Sequence, residues 1–373
     1  MNTDNQTLAP VVDIDLSAAL ANFMTLQKAG EAEGAAVVKC DGYGLGAVAF
    51  ARTLAIHGQC KKFFVAYPEE GRQLRHQLND IDPTFEIFVF NGPTPVTLSI
   101  FSECDLTPVI NSIEQGSLWA KYHPERSCVL HIDTGMNRLG LEVHELEKLK
   151  NIPFLNVSMV MSHLACADVP NTKKNDDQRC IFDAISADFP SAQTSLASTG
   201  GTFLGSEFKS NIVRLGIGLY GVSTSGAPDP RLKQVATLTA PVLQLRNVEA
   251  GETTGYGETY KFCRPSTLAA VSVGYGDGYL RAASNSASCW VNDTCCPVVG
   301  RVSMDITVFD VTDIKEKIRA GDRVQLFGNK MPIETVAGAC GTIGYELLTG
   351  LGPRVMRRYF WEGKPASKNL LSA

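Results

Sequence analysis

"AAVVKCDGYGLGA", residues 35–47, passes from small and β-branched apolar residues into a lysine, and then into a turn crowded with glycine. A short continuous apolar run bounded by turn residues reads as a buried strand. Lys39 stands at the end of that strand, with Tyr43 four residues on. Seven similar runs follow over roughly 180 residues: "KFFVAY" (62–67), "FEIFVF" (85–90), "LTPVI" (106–110), "CVLHID" (128–133), "VSMVMSH" (157–163), "TSLAS" (194–198) and "NIVRLGI" (211–217). Helix-like segments such as "VHELEKLK" (143–150) and "DQRCIFDAISADF" (177–189) lie between them. Strands alternating with helices predict a parallel sheet, and eight such units fit a compact (β/α)8 TIM-type barrel. An earlier helix is expected with Ser17 as its cap and Leu20, Phe23, Met24 and Gln27 on one face. "PVVDID" (10–15), ahead of it, alternates like a half-buried strand.

Near residue 223 the texture changes. "STSGAPDPRLK" is rich in turn residues, and the segments beyond it ("ATLTAPVLQLRNV", "STLAAVSVGYG", "ASCWVND", "CPVVGRVSMDITVFDV") alternate like strands. The expected class is therefore α/β. A barrel occupies residues 1–222, its extreme N-terminal strand free to pack with the other domain, and a mainly β C-terminal domain occupies 223–373.

With 44% hydrophobic residues the chain can bury a large core. Its 34 basic against 39 acidic residues form no basic stripe, which argues against nucleic acid or an anionic membrane as partner. The first residues lack a charged n-region and an apolar h-region, and no run of 18 apolar residues occurs. Eleven scattered cysteines, an odd number without C-x-x-C spacing, fit free thiols in a reducing cytoplasm. Cys295-Cys296 has no histidine nearby, so no metal site is expected.

Polar residues gather just after the expected strands, where barrels build their active sites. Lys39 is either a solvated strand end or a lysine placed to form a Schiff base; Gly42, Gly44 and Gly46 would let a ligand approach closely. "LASTGG" (196–201) and "RLGIG" (214–218) offer hydroxyls and backbone N–H groups for a phosphate, or serve as ordinary turns. "GIGLYG" (216–221) matches G-x-G-x-x-G but opens no helix and has no acid about 20 residues on, so it is not a dinucleotide site. His163 is a core histidine or stacks on a flat cofactor. Arg138, in "DTGMNRLG" (133–140), suits a carboxylate or is a surface charge. Tyr275 sits between glycines in "VGYGDGYLR" (273–281).

Taken together, "AVVKCDGYGLGA", "DTGMNRLG", "VRLGIGLYG", "VGYGDGY" and "GRVSMD" resemble, in order and spacing, the motifs of the alanine racemase family, over residues 11 to 360. The resemblance implies pyridoxal 5'-phosphate as cofactor and interconversion of L- and D-alanine by two bases on opposite faces of the cofactor-bound amino acid. It makes Lys39 the cofactor lysine and one base, and Tyr275 the other, supplied by the partner subunit of a homodimer with shared sites. Arg138 and the Met304 backbone would bind the substrate carboxylate. Tyr43, Thr199, Gly216, Ile217 and Tyr220 would surround the phosphate. Arg214 would face the pyridine nitrogen, and His163 would support the ring. Asp168, Arg301 and Asp305 would support or line the entrance.

The resemblance also implies a cytoplasmic enzyme that supplies D-alanine for peptidoglycan. Two positions depart from the family pattern. His131 stands where many members carry a carbamylated lysine, so another group must orient Arg138. Pro353 stands where many have a tyrosine that narrows the pocket, which leaves room for serine. A decarboxylase of the same architecture needs an acidic partner at the pyridine nitrogen, and Arg214 is not one. A non-catalytic cofactor carrier would lack the second domain and with it Tyr275 and Met304.

Overall fold

A computed structural model of the chain describes residues 7–372, which form two compact units. One comprises Ala19–Tyr220 and the described residues from Ser367 onward; the other comprises the described residues up to Ala18 and Gly221–Ala366. No described helix is long and apolar enough to cross a membrane.

The first strand, β1 (Val11–Asp15), lies in the second of these units. The other unit holds eight parallel strands: β2 (Glu33–Val37), β3 (Lys62–Val65), β4 (Glu86–Val89), β5 (Thr107–Ile110), β6 (Ser127–His131), β7 (Asn156–Met161), β8 (Gln193–Ser195) and β9 (Ile212–Leu215). Their spatial order is β8-β7-β6-β5-β4-β3-β2-β9. A parallel bridge between Ser198 and Arg214, with the Arg214 N–H donating to the Ala197 carbonyl at 3.1 Å, brings β9 back beside β8 and closes the barrel. These strands are covered on both faces, which is why they read as continuous apolar runs: Phe63, Phe64, Ile87, Phe88 and Val89 are all buried. The expected (β/α)8 barrel is therefore present. Each strand overlaps its expected segment; β2 begins two residues early and ends at Val37, two residues before Lys39, and β6, β7 and β8 each begin one residue early.

Two buried cations fix this unit. Lys62 opens β3 and places its amine 2.9 Å from both Glu33 and Glu86, the first residues of the neighbouring strands. Arg52, fully buried on the helix Ala47–His57, holds Asp80 bidentately at 2.6 and 2.7 Å, and donates to the Asn369 carbonyl at 2.6 Å. A guanidinium of fixed fork geometry thus ties the short helix Lys368–Leu371 to the helix behind β2.

The other unit is the expected mainly β domain. Its strands are β10 (Ala236–Val248), β11 (Thr253–Thr254), β12 (Tyr260–Lys261), β13 (Ser266–Val271), β14 (Ser288–Val291), β15 (Thr294–Pro297), β16 (Thr307–Asp310), β17 (Arg323–Phe327), β18 (Met356–Trp361) and β19 (Lys364–Pro365). The long strand β10 pairs with β1, β13 and β17; a register shift at Val242/Gln244 bends it from one set of partners to the next. β1 is sandwiched between β10 and β18, with Asp13 directly opposite Arg358 and bound to it bidentately at 2.7 and 2.8 Å.

The first helix, Leu16–Gly30, corrects two expectations. Its cap is Asp15, whose Oδ1 accepts from the Ser17 and Ala18 N–H groups at 2.9 and 3.0 Å. Ser17 instead accepts from the Glu362 N–H at 2.7 Å. Met24 is 58% exposed; the buried face runs through Ala19, Asn22, Phe23 and Leu26.

Arg52→Ala should lower unfolding free energy by about 2–4 kcal/mol, since it empties a fully buried site and removes the bonds that hold Asp80 and Asn369 to it. Urea unfolding measures the loss, and limited proteolysis should show cleavage before residue 368 in the variant first.

Candidate active site

The barrel's reactive residues begin with an unusual piece of backbone. After β2 the chain passes Val38 and Lys39, and then five successive residues take positive φ: Cys40 (54°), Asp41 (49°), Gly42 (61°), Tyr43 (54°) and Gly44 (82°). For each residue with a Cβ this conformation costs about 1–2 kcal/mol, and runs of it are rare. Local bonds hold it: the Gly42 N–H donates to Val38 O at 2.9 Å, Gly44 to Cys40 O at 2.8 Å and Gly46 to Asp41 O at 2.8 Å. The choice of Asp41 now has a reason. Aspartate tolerates left-handed backbone, and its Oδ1 accepts from the Ala47 N–H at 2.9 Å, at the start of the helix Ala47–His57. The turn leaves the Lys39 amine 5.5 Å from the centre of the Phe90 ring. Burial, and then the Arg138 guanidinium, lower its pKa from the ordinary lysine value.

Arg214, at the closing seam, is buried. Its Nη1 donates to the Ser195 carbonyl and hydroxyl, both at 2.7 Å, and its Nη2 to the Ser162 carbonyl at 2.6 Å. Nη2 also reaches His163 Nδ1 at 3.3 Å. Nε–H has no partner among the described residues. Burial lowers the Arg214 pKa to about 10, which still leaves a cation at neutral pH. A donor facing Nδ1 assigns the lone pair of His163 there and its proton to Nε2. Burial, and then Arg214, push the His163 pKa down to about 3.

His131 has the opposite tautomer. The Asn111 amide nitrogen donates to Phe90 O at 2.8 Å and Val109 O at 3.0 Å, so its Oδ1 is the acceptor for His131 Nδ1–H at 2.8 Å. Burial, then Arg214, bring the His131 pKa to about 4. Two neutral histidines therefore stand among Lys39, Arg138 and Arg214.

A cradle forms beside this cluster where β9 runs into the short 3-10 turn Ile217–Tyr220. Thr199 Oγ1 accepts from the Gly216 and Gly218 N–H groups at 3.2 and 3.3 Å. A Cβ on Gly216 would lie 2.6 Å from Tyr43 Oη, so glycine is what lets the Tyr43 hydroxyl reach this backbone. The Tyr220 ring packs on Tyr43 and Phe50, each at 4.7 Å between centroids, and its hydroxyl is spent on the Val37 carbonyl at 3.0 Å.

Arg138 is set by Asp133. That carboxylate accepts from the Gly135, Met136 and Arg138 N–H groups at 2.8, 2.7 and 3.1 Å, shaping the turn and leaving the exposed guanidinium without a hydrogen bond among the described residues. Burial raises the Asp133 pKa, but these N–H groups outweigh it and leave it lowered. Lys39, Tyr43, Arg138, His163, Thr199, Arg214, Gly216, Ile217 and Tyr220 thus share one end of the barrel. Asp168 is exposed in the loop after β7, where the preceding Ala167 packs against Gly200, the residue after Thr199. Asn111 and Ser195 also belong to this cluster, and their only signal in the sequence is a polar side chain at or just beyond a strand end.

In the β unit, Tyr275 N–H donates to Ser303 O at 3.0 Å and Gly276 N–H to Met304 O at 2.9 Å, which zips two loops together. Only glycine fits at 274, where a Cβ would lie 2.3 Å from the Ser303 and Met304 carbonyl oxygens. Arg354, next to Pro353, bridges Asp277 at 3.0 Å and Asp305 at 2.7 Å across the same loops. Tyr275 is 44% and Met304 55% exposed, and the exposed Arg301 guanidinium lies against Gly257.

Residues 14–224 match the family model described as alanine racemase, N-terminal domain, and residues 235–359 the one described as alanine racemase, C-terminal domain. An alanine racemase of Rhizobium meliloti is 42% identical over 93% of this chain and 95% of its own length. A biosynthetic alanine racemase of Agrobacterium fabrum is 40% identical over 96% and 95%. The structure of an alanine racemase from Bartonella henselae with covalently bound pyridoxal phosphate superposes with a TM-score of 0.88 at 37% identity, covering 95% of this chain and 100% of that one.

Because both histidines are neutral in the fold but protonate near pH 6.5 when unfolded, the chain should be fully stable above that pH and lose stability as pH falls toward 4. Each should contribute about 1.4 kcal/mol per pH unit over that range. His131→Gln in the cofactor-free protein should flatten this acid limb, as read by urea unfolding at a series of pH values.

Proposed function

The chain belongs to the alanine racemase family, and from that premise we propose how its own residues bind pyridoxal phosphate and share the work of interconverting L- and D-alanine. The observation that carries the proposal is the placement of Lys39, a half-buried amine whose pKa is lowered by burial and by Arg138, on the same barrel end as Arg214, a guanidinium that can only donate. The residues fit the cofactor. A free amine suits its aldehyde. The Gly216 backbone, cleared of any Cβ, with Thr199, Ile217 and the Tyr43 hydroxyl, suits its phosphate. The uncommitted Arg214 Nε–H suits a ring nitrogen. Tyr220 supports Tyr43 with its ring. Bound, the cofactor supplies the electron sink that makes the substrate's α-proton removable.

Racemisation must take that proton from one face and deliver one to the other, which needs two bases. Lys39 serves one face. Tyr275 serves the other, offered with Met304 from a second copy of the chain in a homodimer. Both side chains are exposed on their own unit, as groups awaiting a partner must be. Arg138, presented by the Asp133 turn, and the Met304 backbone bind the substrate carboxylate. His163 backs the cofactor ring, with Nε2–H as its free donor. Arginine stays protonated, so Arg214 donates to an unprotonated ring nitrogen and weakens the sink, which restrains side reactions. His131 is not a carbamylated lysine here; Asp133 does the orienting through the backbone of Arg138. Asp305, held by Arg354, and Arg301 and Asp168 line the approach to the site. Pro353 leaves room for serine beside alanine. The enzyme works in the cytoplasm and supplies D-alanine for peptidoglycan.

L-Alanine incubated with the holoenzyme in deuterated water should yield D-alanine carrying deuterium at Cα; exchange without D-product would overturn the racemase reading. Tyr275→Phe should cut the rate by about 10²–10⁴-fold, and activity should fall on dilution below the dimer's dissociation constant. Arg214→Glu should release up to about one pyruvate per bound cofactor from alanine, the amino group remaining on the cofactor, where the unmodified enzyme releases none; a coupled assay measures the pyruvate.

A further inference from the structure

We propose that Glu70 is a positioning residue for Lys39: its carboxylate fastens the left-handed turn that carries the lysine to the end of the neighbouring strand. The inference rests on the reading of Lys39 as the cofactor lysine. β2 and β3 stay in register up to Val37 and Phe64, with a last backbone bond from Val38 N–H to Phe64 O at 2.9 Å. Beyond that point the two chains part, and one carboxylate replaces the ladder. Glu70 Oε1 accepts from the Cys40 N–H at 2.7 Å; Oε2 accepts from the N–H groups of Ala66 at 2.7 Å and Tyr67 at 3.2 Å. Glu70 lies in the first turn of the helix Pro68–Leu78, where the helix dipole also favours a negative charge.

The turn needs such a fastening. Three of its five positive-φ residues carry a Cβ, so its conformation is one the chain leaves readily when untied. Packing from behind is incomplete: a cavity of about 130 Å³, lined by Val38, Asp41, Ala47, Val65, Glu70 and Leu74, lies under the turn. The bond to Glu70 joins the residue immediately after Lys39 to the end of the neighbouring strand, which the bonds within the turn do not do. Glu70 also acts by charge. Burial and then the Arg138 guanidinium lower the pKa of the Lys39 amine, the Glu70 carboxylate opposes them, and His163 stands neutral beside them.

The test uses the full-length enzyme with Glu70→Ala and Glu70→Gln. Cofactor is stripped from each, pyridoxal phosphate is added back across a pH series, and binding is followed by visible absorbance. Borohydride reduction and peptide mass spectrometry then locate the label. Glu70→Ala should weaken cofactor binding at least about tenfold and move the midpoint of the amine's reaction to lower pH by about half a unit or more. Glu70→Gln, which keeps one acceptor but no charge, should show the pH shift with a smaller loss of affinity. Unchanged affinity and midpoint, or a lowered melting temperature with an unchanged midpoint, would overturn the proposal. Label on a lysine other than Lys39 in the unmodified enzyme would instead overturn the reading beneath it. If Glu70→Ala does not fold, hydrogen exchange in the unmodified protein decides: the Cys40 amide should exchange at least about tenfold slower than a free peptide, and exchange at the free rate would overturn the proposal.

Discussion

A buried guanidinium with no means of accepting a hydrogen bond stands at the seam where the barrel closes. The backbone of Arg214 bridges β9 to the residues after β8, and its side chain gathers the carbonyls of Ser162 and Ser195 from the ends of β7 and β8. One residue therefore takes part both in closing the barrel, beside bonds such as Ser195 Oγ–H to the Ile212 carbonyl at 2.9 Å, and in setting the electrostatics of its mouth. Bonds to carbonyl oxygens keep the charge in place against the cost of burial, and they leave Nε–H as its remaining donor.

The other groups follow from that cation. Histidines in a buried, positive neighbourhood give up their protons, so His131 and His163 are neutral and their tautomers are set by Asn111 and Arg214. A lysine in the same neighbourhood holds its proton weakly, which suits an amine that must react with an aldehyde and then exchange protons with carbon. The strained turn after Lys39 belongs to the same arrangement. It ends the strand abruptly, brings Tyr43 back over Gly216 and lets Asp41 accept from the first N–H of the next helix, so the lysine, the Thr199–Gly216 turn and the helix start are fixed together.

Much of this was legible in the residues alone. Eight apolar runs with polar strand ends specify a barrel and mark its working end, because parallel strands covered on both faces have no alternation to obscure them. What could not be read was anything set by contact across the sheet. Cys40-Asp41 gave no hint of left-handed backbone, since neither residue requires it. Nothing in the residues around Glu70 signals that its carboxylate accepts from the Cys40 N–H. His131 was visible as a departure from a family pattern, but its tautomer depends on Asn111, a residue just beyond the end of the adjacent strand. The first helix shows the same limit at short range. Both Asp15 and Ser17 are good caps by type, and the choice between them was made by Glu362, far along the chain.

The central claim is that Arg214 remains a donor and keeps the ring nitrogen it faces free of a proton. Loading the enzyme with pyridoxal phosphate labelled with nitrogen-15 in the ring, and recording its nitrogen resonance between pH 6 and 9, tests this directly. The account requires the shift of an unprotonated, hydrogen-bond-accepting pyridine throughout. The shift of a pyridinium would contradict it.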